Sequence, residues 1–125
     1  MSRIEIRSKT YSFVAELFDT PAAEKIYNNL PILGKANLWG NEIYFSIPLH
    51  IPREPDARES VDPGEIGYWP SGSAFCIFFG PTPASSGDKP QAYSPVNVFG
   101  KIIGDLTPLN HIKPGDKVEV IQYSK

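Results

Sequence analysis

Trp39, Glu42, Tyr44, Tyr68, Trp69, Phe78 and Asn97 are the residues whose types and placing offer chemistry in this chain. Tryptophan and tyrosine join an apolar ring to a polar tip, which suits the wall of a groove that holds an organic molecule. Glu42 stands two residues before Tyr44, so in a strand both side chains emerge on one face. A buried carboxylate without a partner is costly, so Glu42 must be exposed, paired or functional. With Asn97 it would orient a ligand held on the rings. The plainer reading of the same rings is core packing. The groove reading requires at least one of Trp39, Tyr44 and Trp69 to line a wall.

Other chemistries lack their residues. A metal site needs several converging ligands, and His50, His111 and Cys76 form no ligand motif. No metal and no cofactor are expected. Cys76 lies in an apolar run, which suits a small hydrophobic filler rather than a nucleophile that needs exposure and a base. Ser71, Ser73, Ser85 and Ser86 fall in turn-like stretches, where serine caps backbone groups. The stretch GYWPSGS lacks the strand, elbow and helix that present a hydrolase nucleophile.

The composition narrows the field further. The chain has 125 residues, enough for one domain with a real core, so residues 1–125 are expected to form a single domain. Its net charge of −2 comes without a basic block, which gives no electrostatic support to nucleic-acid or anionic-membrane binding. One cysteine makes no internal disulfide and fits a reducing compartment. The N-terminus carries Arg3, Glu5 and Arg7, unlike a signal peptide, and no apolar stretch reaches the roughly 18–20 residues of a membrane-spanning helix. A soluble, cytoplasmic protein is expected.

The elements that must position these residues centre on Gly64–Pro83. Ala74 to Phe79 is an uninterrupted apolar run of strand length, so burial on both faces at the middle of the fold is expected. Pro70 to Ser73 is a turn before it. Arg3–Arg7 and Tyr11–Leu17 alternate as a hairpin, and Asp19-Thr20-Pro21 opens a short helix that ends near Asn28-Asn29. Gly40-Asn41 marks a tight hairpin between Ala36–Trp39 and Glu42–Ile47, with Trp39 and Tyr44 as cross-strand neighbours. His50–Pro63 and Pro81–Pro95 read as long loops. Val96–Ile103 is a strand whose Gly100 suggests a bulge or a close backbone approach. Thr107-Pro108 opens one helical turn, and Lys117–Tyr123 is a closing strand. Seven or eight short strands, one short helix and one helical turn favour a closed or nearly closed β-barrel.

Two segments carry a family resemblance. GSAFCIFFG followed by SPVNVFGKI is similar to the cyclophilin pattern GSQFFI followed by VFGKV. With WGNEIYF, GEIGYWPSG and FFGPTP, the chain resembles a small prokaryotic cyclophilin-like family of uncharacterised function, from about Trp39 to the C-terminus. The resemblance implies a cyclophilin-type barrel. It does not bring the prolyl isomerase residues. The strand Ile43–Pro48 holds no arginine. Cys76 replaces the pocket aromatic and Ala74 the glutamine. Tyr93 to Asn97 lack the tryptophan and histidine that precede VFGKV.

The expected function is therefore a binding domain that takes a small organic ligand or an extended peptide in the aromatic groove. An alternative is a peptidyl-prolyl isomerase with a rebuilt site, in which Arg53 or Arg58 supplies the missing guanidinium beside an aromatic pocket. A third is a homo-oligomer that associates through exposed aromatics.

Overall fold

The computed structural model describes residues 2–123. They form a mainly β structure with one α-helix and two 3-10 turns. The strands are β1 (Arg3–Ser8), β2 (Tyr11–Leu17), β3 (Ile32–Lys35), β4 (Asn37–Leu38), β5 (Glu42–Ser46), β6 (Arg58–Ser60), β7 (Glu65–Trp69), β8 (Ala74–Phe78), β9 (Gln91–Ile103) and β10 (Lys117–Gln122). The helix α1 spans Pro21–Tyr27, and the 3-10 turns are Pro70–Gly72 and Thr107–His111. No helix among the described residues is long and apolar enough to cross a membrane.

The sheet runs β3-β10-β1-β2-β9-β7-β8-β5-β4, and β6 pairs with β9 off this path. All the ladders are antiparallel. The path has two ends, β3 and β4, and the described residues show no ladder that joins them. The expected closure into a barrel is thus not made by backbone pairing.

Local chemistry explains the elements. β1 and β2 alternate, so Ile4, Ile6, Phe13, Ala15 and Leu17 fall on one buried face. Thr20 caps α1 by accepting from the Ala23 N–H at 3.1 Å, and Pro21 occupies the first turn. Ala22, Ala23 and Ile26 bury the helix face. Gly40 adopts φ +59 at the first position of the two-residue turn between β4 and β5, a conformation that favours glycine.

β8 is buried along its whole length, as its unbroken apolar run predicts. Phe75 and Ile77 enter the main core with Phe45, Tyr68 and Phe99. Ala74, Cys76 and Phe78 enter a smaller cluster on the opposite face, with Val61, Ala92 and Val96. The ring pairs Phe45–Phe75 and Phe75–Phe99, with centroids 5.0 and 5.3 Å apart, knit the main core.

Two readings of the long loops change. The segment 81–95 is not wholly loop, because β9 begins at Gln91 and runs for 13 residues. The segment 50–63 contains β6, which pairs with the first half of β9 through an irregular register. Pro95 hid the start of β9, since proline breaks a strand pattern in sequence. In the structure it lies along that irregular β6 pairing, where a missing N–H is tolerated. In the second half of β9, the register shifts between Ile66 and Gly67 of β7, next to Gly100. A β-carbon on Gly100 would stand 2.7 Å from the Glu16 carbonyl oxygen, so the expected bulge and the expected close approach occur together.

Candidate functional site

The smaller cluster is covered on its outer side by a cleft of about 180 Å³. Trp39, Glu42, Tyr44, Trp69, Ala92, Tyr93 and Val96 line it. Trp39, Glu42 and Tyr44 come from the β4–β5 hairpin, Trp69 from the end of β7, and the other three from the first half of β9.

Strand geometry accounts for the convergence. Glu42 and Tyr44 alternate on β5 and point away from the main core, while Ile43 and Phe45 point into it. Trp39 closes the hairpin turn opposite Glu42: its N–H donates to Glu42 O at 2.9 Å, and the Glu42 N–H donates back at 3.2 Å. Tyr44 lies opposite Asn37, so Trp39 and Tyr44 are not the direct cross-strand pair expected. On β7 the alternation sends Tyr68 to the main core and Trp69 to the cleft.

The walls are fixed by specific contacts. The Trp69 Nε1–H donates to Ser94 Oγ at 2.6 Å, which ties β7 to β9. Gly72, in the turn after β7, lies under the Trp69 ring, where a β-carbon would stand 2.4 Å from a ring atom. The Tyr93 ring meets both indoles edge-on, with centroids 6.0 Å from Trp39 and 6.1 Å from Trp69. Tyr93 is 75% exposed and forms the outer wall. Both tryptophans of the chain therefore line this one cleft.

Glu42 is the charged residue of the lining, and it is only 7% exposed. Among the described residues no lysine, arginine or histidine forms an ion pair with it. Its side-chain neighbour is Cys76, a diagonal contact across the β5–β8 ladder in which Tyr44 faces Cys76 and Glu42 faces Phe78. Burial pushes the Glu42 carboxyl up to about 7, and the Cys76 thiol offsets part of that rise. Burial first, and then the Glu42 carboxylate, push the thiol well above its ordinary range. The thiol proton has two acceptors in reach, the Ala74 carbonyl oxygen at 3.9 Å and Glu42. Cys76 is thus held as a buried protonated thiol, unlike a nucleophile.

Three residues expected at the groove lie elsewhere. Tyr68 is fully buried in the main core; its O–H donates to Leu49 O at 2.7 Å and accepts from the Ile51 N–H at 3.2 Å, which holds the chain after β5. Phe78 is fully buried in the smaller cluster. Asn97 is 1% exposed and pins the segment 52–54: its Nδ2–H donates to Pro52 O at 3.0 Å and its Oδ1 accepts from the Glu54 N–H at 2.8 Å. The Glu54 carboxylate in turn accepts from the Ala22 N–H at 2.8 Å. That stretch of the charged segment is therefore strapped down.

Sequence reasoning missed Ala92, Tyr93 and Val96 as lining residues. They lie at the start of β9, which Pro95 obscured in the sequence. The arginines proposed for a rebuilt isomerase site are not among the lining residues. Arg58 is engaged by Glu65 at 2.9 and 3.1 Å and donates to Ser60 O at 2.7 Å. Arg53 is exposed. Among the described residues no three His, Cys, Asp or Glu side chains are grouped to hold a metal ion.

Comparison with known proteins gives a family and a relative of known structure. The model of the cyclophilin-like family matches residues 2–121. The solution structure of the hypothetical protein AF2241 from Archaeoglobus fulgidus is similar, with a TM-score of 0.81. The two sequences are 34% identical, and the match covers 98% of this chain and 95% of that one. No curated protein matches the chain.

Proposed function

We propose, from the premise that this chain belongs to the cyclophilin-like family, that it is a binding domain whose aromatic cleft holds a small organic group. The group is either a free ligand or one side chain of an extended peptide. The convergence of Trp39, Tyr44, Trp69 and Tyr93 around Glu42 carries this reading. An apolar cleft with one well-placed polar group is the usual form of a small-molecule site. Its volume of about 180 Å³ suits a single ring or a compact branched head, since a cavity of about 150 Å³ accepts benzene.

The reading takes the chain as one domain, supported by a single main sheet and by a family match that runs almost from end to end. It also takes the sheet as rolled towards a barrel. Gly34 of β3 supports this: a β-carbon there would stand 2.4 Å from the Phe45 ring of β5, so the strand at one end of the sheet packs against the strand next to the other end. Binding without isomerase chemistry is supported by the engagement of Arg58 with Glu65 and by the place of both arginines outside the lining.

A panel of neutral aromatic and heterocyclic fragments, followed through the two indole N–H resonances, tests the cleft. Saturable shifts of both indoles are expected, with loss of the response in Trp69→Ala. A panel that binds elsewhere and leaves both indoles unmoved contradicts the reading. Exchange spectroscopy on Xaa-Pro peptides tests the isomerase alternative, because uncatalysed isomerisation takes tens of seconds or longer. No acceleration is expected. Acceleration lost in an Arg53→Ala/Arg58→Ala double variant would establish the alternative.

A further inference from the structure

The cleft combines two features that select the same ligand class. Its walls are built from four aromatic rings, those of Trp39, Tyr44, Trp69 and Tyr93, and the face of such a ring is its electron-rich side. Its one charged group is a carboxylate, 7% exposed, with no cationic partner among the described residues. An aromatic ring attracts a cation over its face, and a desolvated site strengthens the attraction. A carboxylate left without an ion pair in such a site is short of one positive charge. A neutral ligand uses the rings and leaves the Glu42 negative charge uncompensated, while an anionic ligand meets like charge.

We infer that the cleft takes an organic ammonium group, seated among Trp39, Trp69 and Tyr93 with its charge towards Glu42. This rests on the cleft being a binding site and names the ligand class for it. The volume of about 180 Å³ matches a trimethylammonium-sized head, and Tyr93, exposed and in contact with both indoles, is placed to cover it. The titratable groups around Glu42 are Cys76 from β8, Tyr44 from its own strand and Tyr93 from β9. Burial holds the Glu42 carboxyl at about 7, and the Cys76 thiol is raised well above its ordinary range. A bound ammonium therefore expels the Glu42 proton, and affinity rises with pH through that point.

The test compares choline with its neutral carbon isostere, dimethylbutanol, which differ in charge and not in shape. Tryptophan fluorescence reports only on the cleft, because both tryptophans line it. Choline is expected to bind the intact protein about tenfold more tightly than the isostere above neutral pH. That preference shrinks in Glu42→Gln and as pH falls below about 7. Equal or tighter binding of the isostere overturns the inference, as does choline that leaves both tryptophans unperturbed. In either case the neutral fragment panel judges the cleft separately: fragments that still shift the indoles leave a binding site with a different ligand class.

Discussion

The two faces of β8 look onto two different environments. On one side Phe75 and Ile77 join a large cluster that includes Ile4, Ile6, Phe45, Tyr68 and Phe99. Its members are apolar apart from the Tyr68 hydroxyl, which is satisfied by Leu49 and Ile51. On the other side Ala74, Cys76 and Phe78 join a small cluster roofed in part by Tyr44 and Trp69, with Glu42 beside it. The first face is built like any protein interior. The second carries an open cleft and a desolvated carboxylate, and the carboxylate costs stability. A fold that keeps such a cost on one face and none on the other separates the face that holds it together from the face proposed to bind.

Breaking the first face has the largest effect. Phe75→Ala removes a fully buried ring that touches both Phe45 and Phe99, and is expected to cost about 3–5 kcal/mol of stability by chemical denaturation. The folded fraction should still respond to cleft ligands, because Phe75 does not line the cleft.

Glu42→Gln sharpens the contrast in the opposite direction. The Glu42 carboxyl is raised from 4.5 to about 7, so the folded state holds its proton more tightly than the unfolded state. Stability is then lost as pH rises from about 4.5 to about 7, by an amount on the order of 3 kcal/mol at most. The variant should be more stable than the parent at alkaline pH, close to it under acid conditions, and should lose that slope. Denaturation curves across this range check it, and a variant that is less stable at alkaline pH would mean that the charged form has a stabilising partner.

Tyr93→Ala should have the smallest effect on stability, within about 0.5 kcal/mol, because the ring is 75% exposed. Its effect on the cleft is expected to be larger, since it removes the wall that meets both indoles. Thermal melts and fluorescence titration of the same sample separate the two. A marked loss of stability would place Tyr93 with the structural face instead.

Much of this division was legible in the sequence. The unbroken run Ala74–Phe79 has no polar alternation, which is the mark of a strand buried on both faces, and β8 occupies Ala74–Phe78 of it. The i, i+2 spacing of Glu42 and Tyr44 puts them on one side, and Gly40-Asn41 marks the turn, although Trp39 pairs across it with Glu42 and not with Tyr44 as expected. The separation of Tyr68 from Trp69 follows from the same alternation, yet sequence alone does not say which of the two faces the core. Asn97 looked like a groove residue because polar side chains in apolar strands stand out. Its task depends on Pro52 and Glu54, distant in sequence, whose backbone groups it satisfies. Tyr93 was hidden because Pro95 breaks the strand pattern and β6 is too short, charged and exposed to signal its pairing.

The most direct test of the account is a carbon-13 NMR titration of the glutamate carboxyl groups, with Glu42→Gln to assign the signal. Glu42 is a carboxylate in a desolvated cleft with no counter-ion among the described residues. The Glu42 signal is expected to titrate at about 7, well above the ordinary glutamate value. A midpoint in the ordinary glutamate range, near 4.3, would mean that Glu42 is solvated or paired, and that the second face of β8 is no different from the first.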